Sequence, residues 1–295
     1  MMPSRRGVLL ILSFWLVTLG YVGYRDVWPR LFADKAPAVW IDLSDEATQT
    51  VPVRWAFYLN DDRVGTVTTQ MSYEAGTDAF TFATKYRGDL KRDVFGYSVK
   101  VPEFDMTTTV NRAGELRAQK MVAAFQVKAL GLSLGGKGAT DAVVRDGQLV
   151  GNCRLDSDTF GTFEAPFEPA PVPEGQVLNP LQPVNRLRGV RPGMRWVIYE
   201  VNPLAEAVNG IRETVGKKFG TALLNGKPPA RTSLVATVAD APEVLKLSRG
   251  EHECWVIDIR GDTGSTTVWV RVRDGHVMQQ RAKLEDDTMR LERED

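Results

Sequence analysis

Three features of the sequence predict a mainly β chain: alternating apolar and polar residues, turn residues at short regular intervals, and two Asp-Gly pairs set between alternating runs. The expected form is a curled antiparallel meander sheet, a half-barrel, with one or two packed helices and an N-terminal transmembrane helix ahead of it. A period of two gives each run one side for a core and one for water. Turn signals about every 8–12 positions mark an all-β chain. Asp146-Gly147 and Asp274-Gly275 suit two-residue hairpin turns, whose central positions need φ > 0.

Arg5 and Arg6 precede an uncharged run from Val8 to Tyr24. As a helix this run spans about 25 Å, near the lower limit for crossing a bilayer. A cleaved signal peptide shares the basic-then-apolar layout, but the run outlasts most such segments and no Ala-x-Ala site follows it. These features favour a retained anchor over 1–25, with Tyr21, Tyr24 and Trp28 at the outer interface. Residues 26–50, broken by Pro29 and Pro37, read as a stalk, and 51–295 as a β-rich extracytoplasmic domain. Within it Val53 to Leu59, Val64 to Tyr73, Phe80 to Tyr86, Phe95 to Val101, Met106 to Val110 and both sides of Asp146-Gly147 read as strands. Leu116 to Val127 fits strand or helix. Six prolines between Pro166 and Pro183 make 165–183 an extended connector between two halves, since proline cannot donate to a ladder. Leu204, Val208, Ile211, Val215, Phe219 and Leu223 recur at helical spacing over 203–224. Glycines interrupt that stripe. The chain closes on a meander from His252 to Arg293.

Lysine plus arginine equal aspartate plus glutamate at 37 each, so no global field favours nucleic acid. Two cysteines and two histidines leave little material for metal or thiol chemistry, and no cofactor is expected. A Cys153–Cys254 bridge stays open at this level, because it depends on the Cα separation. Glu251-His252-Glu253 has metal-ligand types, but alternation splits them between faces. The run from Gly131 to Gly138 nearly spells a phosphate loop. Gly138 stands where a Ser or Thr would hold Mg²⁺, so the run reads as a glycine-rich turn. Arg186, Arg188, Arg191 and Arg195 fit a polar turn entering the Trp196 strand better than a contact with lipid headgroups.

Cys254 with His276 downstream has the residue types of a thiol enzyme. Turns centred on Thr263 and on Asp274-Gly275 test that pairing. They place Trp255, Ile257, Ile259, Trp269 and Met278 on one face with His276, and Cys254 on the other with Val256, Val268, Val270, Val272 and Val277. That drawing separates thiol from imidazole. It also makes Trp255, Ile257, Ile259, Trp269 and Met278 the candidate ligand-binding face.

Trp55-Ala56-Phe57-Tyr58-Leu59 running to Arg63-Val64-Gly65, Asn185-Arg186-Leu187-Arg188 leading through Pro192-Gly193 to Trp196, and Trp269-Val270 before Asp274-Gly275-His276-Val277 together resemble the lipoprotein-carrier-like superfamily. These are bacterial envelope proteins with curled sheets, and related secreted families share the pattern. The resemblance spans roughly Trp40 to the end. It implies a bent sheet around a helix with an apolar concavity that holds acyl chains. The expected function is therefore a non-catalytic binding protein for a lipid, acyl chain or lipidated envelope protein. It would be anchored in the cytoplasmic membrane with its bulk periplasmic. A structural or accessory subunit of an envelope complex, partnered by other envelope proteins and holding no small ligand, is the second reading. A hydrolase or transferase using Cys254 is the third.

Overall fold

The computed structural model describes residues 14–21, 51–94, 97–111, 114–129, 132–159, 161–172, 177–178, 185–187, 189–200, 233–261, 265–284 and 287–294. Its body is one sheet of sixteen strands. The first eight are β1 (Val53–Leu59), β2 (Asp62–Glu74), β3 (Ala79–Val94), β4 (Tyr97–Asn111), β5 (Leu116–Ala129), β6 (Leu132–Arg145), β7 (Gln148–Ser157) and β8 (Gly161–Pro171). There follow β9 (Val177–Leu178), β10 (Arg195–Glu200), β11 (Ser233–Val238), β12 (Glu243–Leu247), β13 (Gly250–Arg260), β14 (Ser265–Arg271), β15 (Val277–Leu284) and β16 (Asp287–Arg293).

The first eight strands form an unbroken antiparallel meander, and β13 to β16 form another. They join where the first strand meets the last, with Phe57 opposite Leu291. Beyond β13 the path continues through β11 and β10 to β9, which alone pairs in parallel. β12 lies beside the first part of β13 and β11 beside its last part. The antiparallel meander expected from the sequence is therefore present, but the expected half-barrel curl is not: the sheet is neither closed nor strongly curled. The path is open rather than closed on itself, with β8 and β9 as its ends. β8 carries Pro166, Pro169 and Pro171, which lack the N–H a further ladder would need, and β9 has two residues.

Local chemistry explains the hairpins. Asn60 and Asp61 have φ of 49° and 70°, so Leu59 faces Asp62 across a two-residue turn. Asp146 and Gly147, at 50° and 70°, do the same between Arg145 and Gln148. Asp274-Gly275 does not. Gly275 has φ 74°, but its N–H donates to the Arg271 carbonyl, making a longer turn with a bulge at Trp269/Val270.

Several expectations are corrected. The Leu116–Val127 ambiguity resolves as strand β5. The glycine-rich run beyond Gly131 lies inside strand β6, not in a turn. Residues 165–171 of the proline-rich stretch belong to edge strand β8, where proline is tolerated because one side needs no partner. Cys153 and Cys254 are free, buried thiols on β7 and β13. Residues 14–21 are helical and exposed. Among the described residues no helix is long and apolar enough to cross a membrane, which says nothing about crossing with strands. The 26–50 stalk and the helical stripe at 203–224 lie outside the described residues, and no described helix packs on the sheet.

Directly opposed residues in antiparallel strands share a face, so the register traces the core. One row runs Val238, Ile257, Val268, Gln280, Leu291, Phe57, Gly65, Gly88 from β11 to β3. A parallel row runs Thr69, Thr84, Met106, Met121, Thr140, Cys153, Ala165 from β2 to β8. Both belong to one continuous face. Its β10–β3 part holds the main cluster around Trp55, Tyr86, Trp196, Ile257, Val270 and Val277, each under 5% exposed. Leu187, Val190 and Met194, from the segment ahead of β10, pack against the same cluster.

Candidate functional site

The face expected to bind a ligand is split by register. Trp255, Ile257 and Ile259 face Val270, Val268 and Thr266, whereas Trp269 faces Val256 on the opposite side. Met278 falls at the β14–β15 bulge, since Val270 pairs with Val277 and Trp269 with Gln279. The cause is loop length. Arg260 pairs with Ser265, leaving four connecting residues, whereas a turn centred on Thr263 needs an odd number, and a one-residue shift reverses the faces. Ile257 and Ile259 are buried in the main cluster, with Trp255 half-buried against it. On the other side the Arg281 guanidinium lies 5.5 Å from the Trp269 ring.

The thiol and the imidazole are linked by a residue that sequence reasoning did not single out. Cys254 faces Arg271. Arg271 donates two hydrogen bonds to Asp274, at 2.9 and 2.7 Å, and approaches His276 Nδ1 at 2.9 Å. The i, i+3 spacing of Arg271 and Asp274 was the available signal. Burial pushes the Asp274 carboxyl up, but the Arg271 guanidinium and the His276 N–H outweigh it and hold it at about 2. Burial, with Arg293, lowers His276. Burial pushes the Cys254 thiol up to about 11 against the pull of Arg271. A thiol kept protonated and 0% exposed is a poor nucleophile. The cluster instead anchors the segment ahead of β10. Leu187 N–H donates to the Gly275 carbonyl, Val277 N–H to that of Asn185, and Arg186 Nε to that of Asp274. Asn185 also accepts from Thr69 at 2.6 Å. Among the described residues no three His, Cys, Asp or Glu gather as metal ligands.

The apolar face continues over β4–β8, where Met106, Gln119, Thr140, Ala142, Leu149 and Cys153 are buried and Phe104, Met121, Phe125, Leu155 and Phe163 are half-buried. The described side chains on its rows there are Phe104, Met106, Thr108 and Val110 on β4, Gln119 to Val127 at alternate positions on β5, Gly136 to Val144 on β6, Leu149 to Leu155 on β7, and Phe163 and Ala165 on β8. None of them is charged. The described charges of these strands sit on the other face, in pairs such as Lys120–Asp141 and Arg154–Asp156.

This surface has a floor of small residues. Ala123 faces Gly138, which faces Leu155; Met121 faces Thr140, which faces Cys153; Gln119 faces Ala142, which faces Gly151. Phe104, Met106 and Met121 rise on one side and Leu155 and Phe163 on the other. Leu116, Leu149 and Val144 cluster at one end. At the other, Phe125 lies over Gly136, where an added Cβ would come within 2.8 Å of its ring. An added Cβ on Gly138 would meet nothing within 4 Å. The side chains there offer little chemistry. The Cys153 thiol is pushed up by burial and donates to the Ala165 carbonyl at 3.2 Å. Gln119 Nε2 lies 3.3 Å from the Met106 sulfur. Thr140 Oγ1 is buried and unpartnered. This is an apolar face with a few neutral polar atoms. Alternation on each strand was its sequence signal, but only the register brings the small residues together.

Comparison with family models, with curated proteins and with solved structures gave no match for the chain.

Proposed function

We propose that the chain is a membrane-anchored, extracytoplasmic β-rich protein that binds a lipid, an acyl chain or a lipidated envelope protein without catalysis. One observation carries this reading: the face of β4–β8, whose described side chains carry no charge, floored by small residues and edged by Phe and Met. Its half-buried Phe104, Met121, Phe125, Leu155 and Phe163 offer apolar contact to a chain laid against them. The elevated, buried thiols support a binding role over a nucleophilic one. Retention of 1–25 as the anchor rests on the sequence, as does the resemblance to the lipoprotein-carrier-like sheet. Native mass spectrometry of the full chain extracted from membranes tests the binding. Lipid that co-purifies reproducibly at a fixed stoichiometry supports it. A clean apo mass, with no saturable uptake of an added acyl probe, rejects it.

The second reading is an accessory subunit of an envelope complex with no small ligand. The filled cluster over β10–β3, which takes up Ile257 and Ile259, favours it. A stable protein complex recovered with no lipid attached would select it over the first.

A further inference from the structure

Within that binding reading, we propose that the small-residue floor of β5–β7 seats a neutral acyl ester or amide, with Thr140 Oγ1 hydrogen-bonded to its carbonyl oxygen. Four observations carry this. Thr140 is 7% exposed, and its hydroxyl is buried without a partner. Such a group costs free energy unless something satisfies it. Gly138, two residues along the same face, leaves open space above its Cα. Its neighbour Ala123 and the Ala142–Gly151 pair beyond Thr140 keep the floor low, with Leu155 as the wall beside it. No charged side chain is described on this face of β4–β8. An ionised carboxylate would be desolvated there without a counter-ion, whereas an ester or amide carbonyl needs one donor. Thr84, on the same cross-strand row, also has an unpartnered hydroxyl, but its cross-strand neighbours are Thr69 and Met106, and no open glycine adjoins it. The seat is therefore placed at Thr140. An unbranched chain attached to that carbonyl would lie against Met121 and Met106, whose flexible thioethers conform to irregular partners.

The test measures binding of radiolabelled methyl palmitate, palmitate and hexadecane to the full chain held in amphipol at pH 8. Methyl palmitate binds more tightly than palmitate. Thr140→Val, which keeps the shape and removes the hydroxyl, weakens methyl palmitate about three- to ten-fold and leaves hexadecane unchanged. Gly138→Leu fills the open space and removes binding of both. Equal methyl palmitate affinity for wild type and Thr140→Val overturns the proposal, as does tighter binding of palmitate than of its ester. If the probes bind but neither variant changes anything, the seat lies elsewhere and the wider binding reading survives. If no probe binds, both fall. Thr140→Val carries the test if Gly138→Leu misfolds.

Discussion

The two parts of the sheet share one apolar face but use it differently. Over β10–β3 the face is filled with large side chains: Trp55, Phe57, Tyr86, Trp196, Ile257 and Val270 interlock, and the segment from Asn185 to Met194 packs onto them. Over β4–β8 the same face carries Gly, Ala and Thr between Phe, Leu and Met side chains, with only small separate clusters. Alternation is equally regular in both. Side-chain volume distinguishes them: large residues that meet across rows make a core, and small ones leave a surface with room on it. Stability should therefore reside in the first part and binding in the second.

Truncation is the strongest way to break that comparison. Trp55→Ala, at a fully buried position with a hydrogen bond to Thr69, should cost about 3–5 kcal/mol. Phe125→Ala, at a half-buried position over Gly136, should cost about 1 kcal/mol. Urea titration followed by tryptophan fluorescence reads both, and equal losses would erase the distinction.

Glycines sharpen it from the opposite direction. A Cβ at Gly88 would sit 2.2 Å from the Val64 carbonyl and 2.6 Å from the Tyr86 hydroxyl, so Gly88→Ala should destabilise by about 1–3 kcal/mol. Gly138→Ala, into open space, should change stability by no more than about 0.5 kcal/mol. The difference in urea midpoints checks the pair.

Acid should act on the filled part. Asp274 is held at about 2 against an ordinary 3.8. Its contribution, roughly 2 kcal/mol, is complete above that ordinary value and disappears as pH falls toward 2. His276 is lowered from 6.5, so the native state favours the neutral ring. Its contribution is complete above 6.5 and declines as pH falls below it. Stability measured by urea midpoint should thus drop in two acid steps. Asp274→Asn should shrink the lower step, to which the lowered Asp89 and Asp156 also contribute, and His276→Gln should shrink the upper one, to which the lowered His252 also contributes.

The smallest effect belongs to the polar face of β4–β8. Lys120 and Asp141 pair at 2.8 Å but stay well exposed. Lys120→Ala should move the thermal midpoint by the equivalent of no more than about 0.5 kcal/mol. A larger shift would mean that this face is packed against something.

The hairpin at Asp146-Gly147, and most strand positions between Val53 and Leu155, were legible from local sequence. A turn residue with positive φ and a period of two act within a few neighbours. The candidate site was legible only as alternation, because a run such as Gly136 to Val144 does not reveal which residues will stand beside it. The tertiary structure decided four things: the four-residue link between Arg260 and Ser265 that divides Trp255 from Trp269, the placement of Pro166 on an edge strand, the resolution of Leu116–Val127 as strand, and the gathering of Ala123, Gly138, Thr140 and Cys153 into one floor. Each depends on which residues oppose each other across strands. Pairing is a long-range choice fixed by loop length and by what the paired faces bury, and no local pattern carries it.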